Sequence, residues 1–151
     1  MTEAQSTIDR WAVTYSRKMR FSDADAQGIV FNPNFSTYIA DTITDFFDAI
    51  GVSWDTFIRN GYHLVLARSE IDFRSAARIG ETLVTGARVA RVGSSSVTFA
   101  LQSWEERSNR VVIDARLIQI VVDHETLRPR PVPAFFLDAV EKVQGAVERS
   151  Q

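Results

Sequence analysis

Four consecutive segments rich in β-branched and aliphatic residues constrain the fold of this chain more than any other feature. These segments are residues 62–73, 81–91, 96–105 and 110–122. Their content of Val, Ile, Leu, Thr and Phe is typical of β-strands. The connections between them, residues 76–80, 92–95 and 107–109, are too short for the helical crossovers that parallel strands require. The segments therefore predict consecutive antiparallel strands.

The last of these strands, residues 110–122, is nearly apolar on both faces. A strand with one solvated face alternates polar and apolar residues, whereas a strand covered on both faces does not. We therefore expect this strand to be central in the sheet or covered.

A long amphipathic helix precedes the strands. Its apolar residues recur at spacings of three and four: Phe35, Ile39, Thr42, Ile43, Phe46, Phe47 and Ile50. This spacing predicts a helix that lies deep against the sheet. Gly51 marks the helix end, and Asn32-Pro33 predicts the helix start, with Asn32 at the cap and Pro33 at the first helical position.

The remaining segments complete an α+β architecture. Alternation over residues 11–21 predicts a first strand, residues 54–60 a short helical turn, and residues 134–147 a terminal helix. Residues 1–10 have no periodicity and are expected to form a loose terminus. The order of elements predicts one antiparallel sheet wrapped around a buried helix, in a single domain covering residues 1–151.

The composition excludes several classes of function. A net charge of −2 argues against a nucleic-acid partner, because such binding depends on Lys and Arg. The absence of cysteine excludes disulfides, thiolate metal sites and a cysteine nucleophile, and it fits a cytoplasmic protein. No apolar run approaches the roughly 20 residues that span a bilayer, so no stable membrane insertion is expected. His63 and His124 lack a second histidine four residues away, so no metal site is predicted.

The segment from residue 20 to residue 35 carries the densest chemistry. Asp23 and Asp25 stand two apart at the end of the first strand, and Gly28 permits a positive φ. Such carboxylates could act as base, nucleophile or metal ligand, or they could simply form a turn. The apolar residues 29–31 that follow favour the wall of a pocket over a solvated turn.

The helix start adds an electrophilic pole to this segment. Amide N–H groups in a first helical turn lack intrahelical partners and can polarise a substrate oxygen, as in an oxyanion hole. A carboxylate a few residues upstream would face the substrate carbon that is bonded to this oxygen. The pattern is that of a minimal acyl-transfer site.

The run from Asp23 to Val30, followed by Asn32-Pro33-Asn34, a long aromatic helix and residues 77–83, resembles the 4-hydroxybenzoyl-CoA thioesterase family of hotdog-fold proteins. The likeness extends over most of the chain. It implies a helix inside a curled antiparallel sheet, and hydrolysis of an acyl-CoA thioester to a free acid and coenzyme A without a cofactor. It also implies a homodimer or homotetramer with a site shared between subunits.

The resemblance also implies roles for particular residues. Asp25 would be the catalytic carboxylate, as nucleophile or as base on water, while Asp23 would be structural. The backbone N–H of Asn32 would polarise the thioester carbonyl, and Gly28 would shape the loop. Some hotdog thioesterases carry the carboxylate on the helix, which makes Asp41 or Asp45 a weaker candidate.

Substrate contacts are implied at a further set of positions. Arg128 matches a phosphate-contacting position of the family, and the turn that contains Arg91 lies where the family has a denser basic cluster. The expected substrate-binding or CoA-binding residues are Phe31, Arg91, Ser94, Ser95, Arg128 and Arg130, with Arg88 as a further cation. Relatives place tyrosine or histidine at the position of Asn32, so the acyl group is left open.

Two other functions stay open. The motifs of serine hydrolases, dinucleotide-binding proteins and P-loop proteins are absent from the sequence. A hotdog hydratase or dehydratase would need a His and acid pair near the loop, and none is evident. A non-catalytic acyl-CoA binding module would use the same helix and arginines without turnover.

Overall fold

A computed structural model describes residues 10–150 of the chain. In chain order the elements are β1 (Val13–Lys18), a 3-10 turn (Phe21–Asp23), α1 (Asn34–Ile50), α2 (Trp54–Arg59), β2 (Tyr62–Phe73), β3 (Thr82–Val92), β4 (Ser96–Glu105), β5 (Val111–Asp123), α3 (Ala134–Gln144) and β6 (Glu148–Arg149). The four predicted strands of the second half are confirmed within one residue at each end. The expected loose terminus lies outside the described residues except for Arg10.

The strands form one sheet in the order β1-β3-β4-β5-β2. All of these neighbours are antiparallel, while the two-residue β6 pairs in parallel with the end of β3. Strand β5 lies between β4 and β2, which confirms the interior position that its apolar sequence predicts. The edges of this open sheet are β1 and β2.

Helix α1 provides the centre of the core. Phe46 and Phe47 are fully buried, and both rings contact Phe99 of β4, with ring centroids 5.4 and 6.4 Å apart. The helix ends at Gly51, whose φ of 73° is left-handed, as expected. The sheet curls around this helix, so the expected α+β hotdog architecture is confirmed.

The start of α1 differs from the prediction. The helix begins at Asn34 with Pro33 as its N-cap, and no side chain caps it. The chain reaches the helix through a turn in which the N–H of Asn34 donates to the carbonyl of Phe31 at 2.9 Å and the N–H of Phe35 donates to the carbonyl of Asn32 at 3.2 Å. Because this extra turn precedes the α-helical bonds, Asn32 is not the cap.

The terminal helix α3 ends three residues earlier than predicted. The side-chain amide of Gln144 donates to the carbonyl of Val89 at 2.7 Å and accepts its N–H at 2.9 Å. Gly145 follows with a φ of 82°. This turn directs the chain along β3, where it forms the two-residue β6, a pairing too short to leave a sequence pattern.

None of the helices in residues 10–150 has the length and apolar character needed to cross a membrane.

Candidate active site

The carboxylate loop folds into a tight hairpin. The N–H of Asp25 donates to the carbonyl of Ile29 at 2.9 Å, and the N–H of Gly28 donates to the carbonyl of Asp25 at 3.1 Å. Gly28 has a φ of 74°, which strains any residue with a Cβ. The hairpin is joined to the loop between β2 and β3 because the N–H of Val30 donates to the carbonyl of Ala77 at 2.9 Å. Gly28 therefore shapes the turn that carries Asp25.

Asp25 uses one of its two side-chain oxygens within the hairpin. Oδ1 accepts the backbone N–H of Gln27 at 2.8 Å, and the residue is half-buried. Its Oδ2 accepts no hydrogen bond from any residue between 10 and 150. The carboxylate is held in position with one oxygen available.

Asp23 is buried, and both of its oxygens are engaged. Oδ1 accepts the hydroxyl of Tyr38 at 2.6 Å and the guanidinium of Arg17 at 3.2 Å, and Oδ2 accepts the backbone N–H of Arg20 at 2.8 Å. Burial alone would raise the pKa of Asp23, but these three donors outweigh it and hold the pKa below its ordinary value. Burial and the adjacent carboxylate raise the pKa of Tyr38 well above its ordinary value. Asp23 thus joins β1, the loop and α1.

The backbone N–H of Asn32 is open. Across the described part of the chain it donates to no acceptor. Asn32 borders a cavity of about 250 Å³ at the start of α1. The other lining residues are Ile29, Val30, Phe35, Phe73, Arg74, Ser75, Ala76 and Ala77. This cavity and the free N–H provide a place where a substrate oxygen could be polarised.

Two predicted residues lie outside this cavity within one chain. Asp25 does not line it, and neither does Phe31, whose residue surface is 51% exposed. Both residues adjoin residues that line it, since the N–H of Asp25 donates to the carbonyl of Ile29 and Phe31 follows Val30 in the chain.

An arginine that sequence reasoning missed fixes the far wall of the cavity. The guanidinium of Arg110 donates to both carboxylate oxygens of Glu81 at 2.8 and 2.9 Å, and to the hydroxyl of Ser75 at 2.8 Å and the carbonyl of Ala76 at 2.5 Å. These contacts pin the loop between β2 and β3. The partners are 29 or more residues away in sequence, so no local pattern marks Arg110.

The expected CoA-binding residues other than Phe31 cluster at one end of the sheet. The N–H of Val132 donates to the carbonyl of Ser94, and the N–H of Val121 donates to the carbonyl of Ser95, at 2.9 and 2.7 Å. These bonds bring the β3–β4 turn beside the segment that contains Arg128 and Arg130.

The three arginines of this cluster differ in availability. The guanidinium of Arg130 lies 4.0 Å above the ring of Tyr62 and donates to the carbonyl of Gly61 at 2.9 Å. Arg91 lies 4.0 Å from Glu148. Arg128 is exposed, and its side chain pairs with no group in residues 10–150. Arg128 is therefore the cation most available to a phosphate.

The cluster and the carboxylate loop lie at opposite ends of the sheet. The loop joins the start of β3, since the N–H of Met19 donates to the carbonyl of Glu81, whereas Ser94 follows the end of β3. A strand that extends from Thr82 to Val92 is about 33 Å long. Within one chain, the arginine cluster and the carboxylate loop are therefore far apart.

The alternative candidates are placed elsewhere. Asp41 faces β1, where its carboxylate lies 4.0 Å from Arg17, and Asp45 is half-buried on α1.

The rings of the two histidines, His63 and His124, lie 6.3 Å apart. No group of three metal-ligating side chains occurs in the residues that the structure describes.

Comparison with known proteins identifies relatives of this arrangement. The chain is 24% identical over 117 residues to a chloroplastic acyl-acyl carrier protein thioesterase from Arabidopsis thaliana, covering 78% of this chain and 61% of that protein. The chain thus spans less than two thirds of that relative's length.

Solved structures share the fold. A 1,4-dihydroxy-2-naphthoyl-CoA thioesterase from Synechocystis superposes with a TM-score of 0.77 at 19% identity, covering 84% of this chain and 93% of that one. A thioesterase from Thermus thermophilus, complexed with coenzyme A and Zn, superposes with a TM-score of 0.77 at 23% identity, covering 91% and 97%.

The sequence profile of one family covers most of the chain. Residues 19–140 match it, a range that includes the carboxylate loop, α1 and all of strands β2 to β5. The chain belongs to the Thioesterase-like superfamily.

Proposed function

We propose that this protein hydrolyses acyl-CoA thioesters to the free acid and coenzyme A, in the manner of the 4-hydroxybenzoyl-CoA thioesterases that its loop resembles. One observation carries the proposal. A carboxylate with a free oxygen, Asp25, and a backbone N–H with no acceptor among residues 10–150, that of Asn32, flank the same tight hairpin. Family membership supports thioester chemistry at this loop.

The two groups suit the two atoms of the thioester carbonyl. The N–H of Asn32 would donate to the thioester carbonyl oxygen and stabilise the negative charge that develops there. Oδ2 of Asp25 would then attack the carbonyl carbon and expel the CoA thiolate, which leaves a mixed anhydride that water hydrolyses. Alternatively, Asp25 would take a proton from the attacking water. Since a thiolate is a good leaving group, neither route needs a strong general acid.

The separation of the two clusters supports a shared site. One CoA molecule bound near Asn32 cannot also reach Arg128 of the same chain if the two lie about 33 Å apart. Pairing of two β2 edge strands about a two-fold axis is antiparallel, so the His63 end of one strand would meet the Phe73 end of the other. The Arg128 cluster of one subunit would thereby lie near the Asn32 cavity of the other. We propose a homodimer, or a homotetramer built from such dimers.

Thiol release from a panel of aryl- and fatty-acyl-CoAs tests the function. We expect wild type to release thiol, and Asp25→Asn to reduce kcat by about 100-fold or more, because the amide is neither a nucleophile nor a base. Asp45→Asn is the parallel variant, because it removes the half-buried α1 carboxylate that is the weaker candidate, and it should keep most activity if Asp25 is the reacting group. Equal rates in wild type and Asp25→Asn would show that Asp25 is not the reacting group.

The same assay separates the two rival functions. Binding of several acyl-CoAs by wild type without thiol release would favour the binding module. Addition of water to an enoyl-CoA without thiol release would favour the hydratase.

A further inference from the structure

The side chain of Asn34 links the start of α1 to the carboxylate loop. Its Nδ2 donates to the backbone carbonyl of Asp23 at 2.8 Å, and the backbone N–H of Phe31 donates to the same oxygen at 2.9 Å. Asn34 is half-buried and is the first residue of α1. The bond therefore joins the helix to a residue that stands two positions before Asp25.

The turn that precedes α1 determines where the N–H of Asn32 points. The backbone N–H of Asn34 donates to the carbonyl of Phe31 at 2.9 Å, and this carbonyl belongs to the same peptide unit as the N–H of Asn32. Because this peptide unit is planar and trans, its C=O and N–H point in opposite directions. Asn34 therefore holds the peptide unit from one side, while the N–H of Asn32 faces away from the turn.

Asp23 gives this arrangement a fixed point. The residue is buried, and its carboxylate accepts hydrogen bonds from Arg17, Arg20 and Tyr38. None of these three bonds involves Asn34, so they would hold Asp23 in place without it. Loss of the Asn34 donor would then shift the turn before α1 rather than unfold the loop.

We propose that Asn34 is a positioning residue for thioester hydrolysis, an inference that rests on the proposed thioesterase function. Its amide sets the direction of the Asn32 N–H relative to the Asp25 carboxylate. An N–H that stabilises developing negative charge must point at the oxygen that carries this charge, so a small displacement weakens catalysis. Asn34 does not line the cavity that Asn32 borders, so it acts through the backbone rather than on the substrate. The carbonyl of Asp23 only accepts, so this role requires a hydrogen-bond donor at position 34.

Helix capping does not account for this bond. A capping side chain accepts from the free N–H groups of the first helical turn, whereas the Asn34 side chain donates to a carbonyl outside the helix. At the first helical position an aspartate is also favourable, because the helix N-terminus carries partial positive charge. Asn34→Asp should therefore fold although it lacks the donor.

Steady-state kinetics on the aryl- or fatty-acyl-CoA that wild type hydrolyses with the highest kcat/KM tests this role. We expect Asn34→Asp and Asn34→Leu to lower kcat by about tenfold or more and to leave KM within about twofold, because the N–H of Asn32 acts mainly in the transition state. Asn60→Leu is the matched control and should keep kcat. It removes a side-chain amide that donates to the carbonyl of Thr56 at 2.8 Å, at the end of α2.

The infrared stretching frequency of the bound thioester carbonyl gives a second readout. A carbonyl that accepts a stronger hydrogen bond vibrates at a lower frequency. In an Asp25→Asn background, which should bind the same acyl-CoA with slow turnover, adding Asn34→Leu should raise the frequency of the bound carbonyl. Adding Asn60→Leu should leave it unchanged.

Several outcomes would overturn the proposal. If both Asn34 variants kept kcat, or if they raised KM at unchanged kcat, Asn34 would not position the N–H, although the thioesterase function would stand. The same conclusion would follow if Asn60→Leu lowered kcat as much as the Asn34 variants, or if kcat fell without a change in the carbonyl frequency. If wild type released thiol from no acyl-CoA, the proposed function would fail and the proposal with it.

Discussion

At the scale of single residues, two aspartates only two positions apart have different surroundings. Asp23 is buried and accepts three hydrogen bonds from Arg17, Arg20 and Tyr38, whereas Asp25 keeps one oxygen free on the hairpin. A carboxylate held by that many donors is a weak base and a poor nucleophile. The difference favours Asp25 as the reacting group and Asp23 as the anchor of the loop.

Replacing Asp23 with Asn should destabilise the fold at neutral pH by about 2–3 kcal/mol, because charge-assisted hydrogen bonds are lost in a buried place. The folded-state pKa of Asp23 is lowered, so its contribution is complete above the ordinary value of 3.8 and is lost as pH falls through the folded pKa. The stability gap between wild type and variant should therefore narrow below pH 3.8.

Urea unfolding of Asp23→Asn across this pH range checks the expectation. Asp25→Asn is the matched control and should stay within about 0.5 kcal/mol of wild type, since an exposed turn hydrogen bond contributes little. If the difference in free energy of unfolding between wild type and Asp23→Asn stayed constant with pH, the charge of Asp23 would not be the source of the stabilisation.

At the scale of elements, the edge strand β1 depends on close packing against β3. Trp11, just before β1, lies over Gly86 of β3 and stacks on Trp104 of β4 with ring centroids 6.5 Å apart. A Cβ at Gly86 would lie 2.3 Å from Cγ of Trp11, closer than atoms can approach. Gly86 is therefore needed for this contact and not for an unusual backbone angle.

Gly86→Ala should lower the free energy of unfolding by about 1–3 kcal/mol, because the added methyl displaces the Trp11 ring. In a Trp11→Ala background the same substitution should cost little, since the ring is gone. Urea unfolding of wild type, both single variants and the double variant measures the coupling. Additive effects would show that the methyl clashes with something other than Trp11.

At the scale of the whole molecule, β2 is a long unpaired edge. It has 12 residues, and within residues 10–150 its only strand neighbour is β5. Val65, Leu66 and Phe73 expose apolar surface along it. Natural proteins protect such edges by pairing or covering them. This edge and the separated clusters both favour a second subunit along β2.

Ala67→Pro should prevent pairing of two β2 edges. Ala67 lies at the register shift between Leu66 and Arg68, where β2 has no residue opposite on β5, so proline is tolerated better there than elsewhere in the strand. We expect a folded monomer by sedimentation and at least tenfold slower thiol release, because the proposed site is shared between subunits. Ala67→Ser is the control and should remain associated. A monomeric wild type, or a proline variant that is associated and fully active, would contradict the dimer.

Much of the fold could be predicted because the signals are local. The content of β-branched and aliphatic residues marks β2 to β5, the spacing of three and four marks α1, and Gly51 marks a helix end, since each signal depends on neighbouring residues alone. The start of α1 differs from the prediction because an extra turn precedes the helix, and the end of α3 differs because Gln144 bonds to Val89, 55 residues away. The loop with Asp25, Gly28 and Asn32 is recognisable because it is one contiguous run.

The sequence by itself determined the type and order of the elements, the antiparallel sheet around a central helix, and the loop that holds the proposed reacting groups. Only the tertiary structure decided that Asp23 is engaged while Asp25 is not, that Arg110 pins the cavity wall, that the Asn34 amide bonds to the carbonyl of Asp23, and that the arginine cluster lies at the far end of the sheet. The physical reason is range. Secondary structure follows from contacts a few residues apart, whereas hydrogen-bond partners and cavities arise from residues that meet only after the sheet has curled around α1.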